Sequence, residues 1–146
     1  MNIHISNSFQ FWVNFLQFIL GIPLFMPYEI LYFQEDDILF FQVHGNNKGR
    51  DSIDLWQLVQ KQLQKHQVFK VVVELHLVGA LDNNFMVVSV SLLNEIFSQS
   101  KAKIAVVDHN STSVVQNRLR FSLLDTDLTT EFAVFDNLIE ASQWLK

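Results

Sequence analysis

Two apolar runs constrain the fold more than any other feature of the chain. Residues 68–77 (VFKVVVELHL) and 103–108 (KIAVVD) are rich in β-branched residues, which is typical of strands buried on both faces of a sheet. Neighbouring parallel strands need a crossover of a dozen or more residues between them. Residues 83–98 lie between the two runs and carry a polar stripe at helical spacing. We therefore predict two neighbouring parallel strands joined by a helix.

Further strands and helices are predicted on both sides of this unit. Residues 28–34 and 37–43 are aromatic and aliphatic runs separated by an acidic pair, a pattern that favours an antiparallel hairpin. Helices are predicted at residues 51–66 and 111–124, and a strand at 131–135 precedes a final helix. The order is β-β-α-β-α-β-α-β-α. The expected fold is α/β, with a mixed β-sheet, an N-terminal antiparallel hairpin, parallel central strands and flanking helices.

Apolar side chains at helical spacing predict which side of each helix is buried. The expected inward-facing residues are Leu55, Trp56, Val59 and Leu63 in the first helix, Val115, Leu119 and Leu123 in the third, and Leu138, Ala141 and Leu145 in the last. Asp136 precedes the last helix and is predicted to cap its amino terminus, because a carboxylate accepts hydrogen bonds from the free N–H groups of a first turn.

Residues 1–27 differ sharply from the domain predicted at 28–146. The chain has 10 Lys and Arg and 15 Asp and Glu, and all of them lie at or after Glu29. The extension predicts an apolar helix near residues 8–20 with only a narrow polar stripe, so its surface needs a cover. Packing on its own domain, self-association, membrane contact through Phe9 to Phe25 and an extension without function remain open, and Met26 is an alternative start.

Composition excludes several classes of protein. The net charge is -5 and no basic run occurs, so we expect no nucleic-acid partner. Zero cysteines exclude a disulfide scaffold, a thiolate metal site and a cysteine nucleophile. No spacing matches a recognised metal-ligand or phosphate-loop motif, and we predict neither a metal nor a cofactor. The expected location is cytoplasmic, with membrane association through the N-terminal segment as the alternative.

Polar residues follow the two central strands at the point where each strand is predicted to end. Asp82, Asn83 and Asn84 come after the first, and Asp108 and His109 come at the end of the second. Open α/β sheets bind ligands at this carboxyl edge, so these residues form the candidate loop for a partner or ligand. Capping of the following helices is the alternative role.

Glu74 and His76 lie two residues apart on the first central strand and therefore share a face of the sheet. A carboxylate beside an imidazole is the arrangement of a general base. The same pair also forms an ordinary hydrogen bond that satisfies two polar groups. Both interpretations remain open from the sequence.

The segment VVVELHLVGALDNNFMVVSVSLLNEIF and the closing AVFDNLIEASQWLK, taken with the element order, resemble the STAS domains of anti-sigma-factor antagonists, in particular the SpoIIAA-like branch. The resemblance covers residues 28–146. Glu74 and Asp82 keep the family's eight-residue spacing from an acidic strand residue to the turn that opens a helix. In regulatory members the next residue is a phosphorylated serine or threonine, whereas this chain has Asn83, which has no hydroxyl.

The resemblance implies a non-enzymatic regulatory or interaction domain that binds a protein partner or a small apolar ligand, without the phosphorylation switch. Two alternatives come from other classes. One is a lipid-binding or carrier domain, which the resemblance implies because SpoIIAA-like domains share their fold with lipid-binding domains, and which the 14 phenylalanines of the chain also favour. The other is a small hydrolase or transferase that uses His76 or His109 as a base, although no GxSxG nucleophile motif is present.

Overall fold

The computed structural model describes residues 2–4, 28–46, 51–80 and 83–146. The strands in this part of the chain are β1 (Asn2–His4), β2 (Tyr28–Glu35), β3 (Ile38–Asn46), β4 (Lys70–Val78), β5 (Lys103–Asp108) and β6 (Glu131–Phe135). The helices are α1 (Asp51–His66), α2 (Asn83–Ile96), α3 (Ser111–Ser122) and α4 (Leu138–Leu145). The α/β order predicted for residues 28–146 is confirmed, and the apolar helix predicted near residues 8–20 lies outside the described residues.

The strands form one six-stranded sheet in the order β1-β2-β3-β4-β5-β6. β2 pairs antiparallel with β1 and β3, and the pairs β3–β4, β4–β5 and β5–β6 are parallel. The hairpin between β2 and β3 turns at Asp36, whose positive φ of 53° is a conformation that Asp tolerates better than most residues. The predicted hairpin and parallel pair are confirmed, whereas β1 was not predicted.

Each central strand sends alternate side chains to opposite faces, and both faces are buried. On the first face, α1, α2 and α3 pack over β-strand residues such as Val71, Val73 and Ile104. Trp56 of α1 lies at the centre of this layer and is fully buried, with edge-on ring contacts to its neighbours. The predicted buried side of α1 is therefore confirmed. We call this side the three-helix face.

The opposite face of the sheet carries α4. Ala141 and Leu145 are buried against Val72 and its cross-strand neighbours. Lys103 Nζ donates a hydrogen bond of 2.7 Å to the Trp144 carbonyl and lies 4.5 Å from the centre of that indole ring, which fastens the end of α4 to β5. We call this side the α4 face.

Two details of α4 correct the sequence prediction. The N-cap is Asn137, whose side-chain oxygen accepts the Glu140 N–H at 2.9 Å, and not Asp136. Asn137 has an extended backbone, and its side-chain oxygen satisfies the free N–H group of Glu140, three residues later. Leu138 does not face the core as predicted: it is 40 % exposed and borders an open cavity.

The buried side of α3 is the largest correction. Val115, Leu119 and Leu123 are 63 %, 53 % and 59 % exposed, although their spacing predicted burial. The buried residues of this helix are Ser113, Val114, Asn117, Arg120 and Phe121. The polar members of this set face inward because Asp108 at the end of β5 accepts hydrogen bonds from Ser113 and Asn117.

Candidate functional site

The register of the parallel strands places four polar side chains together on the α4 face. β3 and β4 pair Gln42 with Glu74 and His44 with His76. Residues two apart on a strand share a face, so these pairs form two successive rows near the carboxyl ends of both strands. Gln42 Nε2 donates a hydrogen bond of 3.3 Å to Glu74 Oε1, which fixes the carboxylate from the β3 side.

His109 joins this group from the third parallel strand. The ladder between β4 and β5 continues one residue beyond Asp108, because the His109 N–H donates to the Leu75 carbonyl at 3.2 Å. The His109 Nε2 lies 3.1 Å from Glu74 Oε2, and the His76 Nε2 lies 3.1 Å from Glu74 Oε1. Each carboxylate oxygen therefore has an imidazole nitrogen as a partner. We call Glu74, His76 and His109 the Glu74 cluster.

The imidazole rings of this region are stacked. The centroids of His76 and His109 are 4.4 Å apart with ring planes 15° from parallel, and His44 stacks on the other side of His76 at 4.6 Å. The Glu74 side chain is only 13 % exposed, whereas those of His76 and His109 are 35 % and 39 % exposed. The carboxylate is thus the buried part of the cluster, and the imidazoles are its solvent-exposed part.

The Glu74 carboxylate is held in its ionised form. Burial alone raises its pKa, but hydrogen bonds from His109 and His76 and the attraction of both imidazoles act in the opposite direction and prevail. The net result is a Glu74 pKa below the ordinary value of 4.5. At neutral pH the Glu74 cluster therefore presents an anionic oxygen donor beside two imidazole nitrogens.

Asp108 is the last residue of β5 and His109 follows it, but their side chains point to opposite faces of the sheet. Asp108 points to the three-helix face and is 1 % exposed. Its carboxylate accepts hydrogen bonds from Ser113 Oγ at 2.7 Å, Asn117 Nδ2 at 2.7 Å and the Asn110 N–H at 3.0 Å. Asn110 in turn caps α3. Asp108 therefore joins β5 to α3, and His109 alone of the two reaches the Glu74 cluster.

The remaining residues of the predicted loop are only partly described. Asp82 lies outside the described residues, as do the side chains of Asn83 and Asn84. The backbone of Asn83 and Asn84 forms the first two residues of α2, which follows β4 at the carboxyl edge of the sheet. A binding role for these three residues stays a prediction.

Arg120 is a buried cation that the sequence did not reveal. It is 2 % exposed, and among the described residues its Nε and Nη1 have no hydrogen-bond partner. Burial lowers the pKa of Arg120 to about 10, and the attraction of Asp108 acts in the opposite direction. The available signal was a polar stripe, Ser113, Asn117 and Arg120, at helical steps of four and three.

A cavity of about 270 Å³ opens on the α4 face next to the Glu74 cluster. Its lining is mainly apolar, and the polar members are Glu35, Gln42, Glu74 and Ser142. The volume falls just below the roughly 300 to 1,000 Å³ of typical small-molecule sites. This cavity therefore suits a small, mainly apolar molecule.

Comparison with known proteins adds no assignment: no family model matches the chain, and no curated protein shows a significant match. Within the described ranges, no helix has the length and apolar character needed to cross a membrane.

Proposed function

We propose that this chain is a non-enzymatic regulatory or interaction domain of STAS/SpoIIAA-like type that binds a protein partner through α3. The observation that carries the proposal is the exposure of three apolar side chains along that helix. Val115, Leu119 and Leu123 are each more than half exposed, while Arg120 and Asn117 are buried. Exposed apolar side chains at helical spacing favour cover by another surface, because their burial removes apolar area from water.

The exposed residues form a continuous ridge. Steps of four place Val115 and Leu119 on one side of α3 and continue to Leu123, the C-cap residue that follows the helix, over about 12 Å. Single exposed apolar residues are ordinary on protein surfaces, but a contiguous apolar stripe is typical of an interaction site. Partner proteins commonly bind such a helix in a hydrophobic groove that contacts apolar side chains spaced by three or four residues. We call these three residues the α3 ridge.

The family resemblance supports the same class of function from separate residues. Glu74 lies on the central strand β4, and α2 opens at Asn83, so the acidic strand residue and the helix-opening turn keep their spacing. Asn83 offers no hydroxyl for phosphate, and we therefore propose constitutive partner binding without that switch.

Site-specific photocrosslinking tests the proposal in cells that express the full chain. A photoreactive amino acid replaces Leu119, and a matched chain carries it at Ile139, which is 72 % exposed on α4. We expect position 119 to crosslink one defined protein and position 139 to leave it uncrosslinked. Equal crosslinking from both positions, or none from Leu119, would contradict the proposal.

The cavity on the α4 face favours a small apolar ligand as a second candidate function. Its aromatic and aliphatic walls fit such a ligand, but about 270 Å³ is too small to enclose a lipid chain with its headgroup. Native mass spectrometry of the purified chain, with Leu138→Gln as the comparison, tests this candidate, because Leu138 lines the cavity and is 40 % exposed. A bound small molecule that the variant loses would support it.

The hydrolase or transferase alternative draws on the contacts of Glu74 with His76 and His109, since a carboxylate that orients an imidazole supplies two of the three groups of a catalytic triad. It still lacks a nucleophile motif. Turnover of generic esters or phosphate esters by the chain, abolished by His109→Gln, would favour this alternative over the binding domain.

A further inference from the structure

We infer that the Glu74 cluster is a binding site for a divalent transition-metal ion of the zinc class, with Glu74, His76 and His109 as its protein ligands. This inference concerns the α4 face and does not depend on partner binding through α3. One carboxylate and two imidazoles are a ligand set that zinc uses in sites with an open fourth position.

The distances between the donor atoms suit such an ion. Bonds of about 2.0 to 2.1 Å at tetrahedral angles separate two zinc ligands by about 3.3 Å. The Glu74 oxygens already lie 3.1 Å from the His76 and His109 Nε2 atoms. All three ligand atoms lie within 4.8 Å of one another. The two imidazoles therefore need only a modest rotation out of their stack for their nitrogens to converge on one ion.

The surroundings of the cluster allow this rotation while holding the carboxylate in place. His76 and His109 are each more than a third exposed, so their rings turn toward solvent without displacing core side chains. Glu74 is oriented by the Gln42 amide, a contact of the kind that positions metal-ligating carboxylates. The ligands extend from adjacent strands of a parallel sheet, which gives the site a rigid frame.

When zinc binds, the contacts of His76 Nε2 and His109 Nε2 with Glu74 are replaced by bonds from these atoms to the metal ion. Each imidazole must offer a lone pair at Nε2, so any proton at that atom moves to Nδ1 or to solvent. The ionised Glu74 carboxylate needs no such change. Both imidazoles are more than a third exposed, so water is available to complete the coordination. Imidazole donors favour zinc over Mg²⁺ and Ca²⁺, which prefer oxygen ligands.

Isothermal titration calorimetry of the full, tag-free chain, stripped with a chelator and titrated with zinc chloride, tests the inference. We expect one zinc ion per chain and no comparable binding of magnesium chloride. Glu74→Gln and His109→Gln should each weaken zinc binding at least about tenfold, since even partners that contact metal ligands affect affinity by this much. Both substitutions keep similar side-chain size, and circular dichroism checks that each variant is folded.

His66→Gln is the matched control. His66 is the last residue of α1, and β4 begins four residues later at Lys70. His76 lies six residues beyond Lys70, which is about 20 Å along the strand. The control should bind zinc as the unchanged chain does, and imidazole NMR signals of His76 and His109 should shift while those of His66 stay in place. Absence of zinc binding, equal loss in His66→Gln, or full affinity in Glu74→Gln would overturn the inference.

Discussion

Asp108 illustrates how a charged side chain is accommodated between a sheet and a helix. Its carboxylate accepts three hydrogen bonds, from Ser113, Asn117 and the Asn110 backbone, and Arg120 supplies a nearby positive charge. Hydrogen bonds to an ionised acceptor are about twice as strong as neutral ones. This residue therefore determines which side of α3 faces the sheet.

Asp108→Ala should lower the free energy of unfolding by about 3 to 5 kcal/mol. The substitution leaves the Ser113 hydroxyl and the Asn117 amide without their acceptor, and it removes the anion nearest to the buried Arg120. Urea denaturation measures the change. Asp127→Ala, at an exposed aspartate, is the control and should stay within about 0.5 kcal/mol of the unchanged chain. A loss below about 1 kcal/mol for Asp108→Ala would contradict this account.

The ionised state of Glu74 predicts a specific dependence of stability on pH. Because its pKa in the folded chain is below 4.5, the unfolded chain binds the proton more tightly. The stabilising contribution of Glu74 is complete above pH 4.5 and is lost as the pH falls through its folded pKa. In metal-free buffer, Glu74→Gln should therefore lose less stability than the unchanged chain between neutral pH and pH below 4.5. Parallel curves in urea denaturation at each pH would contradict this prediction.

At the scale of single elements, hydrophobic pattern and turn chemistry predict the strands and helices of residues 28–146 closely. The buried runs of β4 and β5 and the amphipathic α1 are strong local signals. The orientation of α3 was not predictable in this way. Its inner face is decided by Asp108, a partner outside the helix, and hydrophobic periodicity contains no information about that contact.

The Glu74 cluster shows the same division between local and long-range information. The pairing of Glu74 with His76 follows from a spacing of two on a strand. His109 is 35 residues from Glu74 in sequence, and only the register between β4 and β5 brings them together. The sequence pattern therefore predicts His109 at the correct edge of the sheet but beside Asp108, which points to the opposite face.

The orientation of α3 predicts opposite costs for substitutions on its two sides. Leu119→Gln should change the free energy of unfolding by no more than about 0.5 kcal/mol, because Leu119 is 53 % exposed. Phe121→Ala should cost about 3 to 5 kcal/mol. Phe121 is buried, with its ring stacked on Phe132 at 4.9 Å and edge-on to Trp56 at 5.5 Å. Thermal or urea unfolding of both variants measures the two changes in the free energy of unfolding. A larger loss of stability for Leu119→Gln than about 0.5 kcal/mol would mean that the α3 ridge is buried in the core.

At the scale of the whole molecule, the described core is built from residues that follow the uncharged extension. The buried apolar side chains of both faces lie between Ile30 and Leu145. The described part of the extension, β1, contributes three residues that pair with the edge of β2. Among the described residues, β2 to β6 and their helices thus carry both apolar layers of the core.

A chain that begins at Met26 should therefore unfold cooperatively. It keeps β2 to β6, α1 to α4 and both apolar layers, and it loses the pairing of β1 with β2. The exposed β2 edge makes self-pairing of the shortened chain a separate concern, so unfolding is measured over a range of protein concentrations. Sedimentation velocity of both chains then tests self-association through Phe9 to Phe25. If this segment mediates self-association, the mass of the shortened chain in solution should fall by more than the mass of the residues removed. Non-cooperative unfolding of the shortened chain would instead mean that residues 1–25 belong to the core.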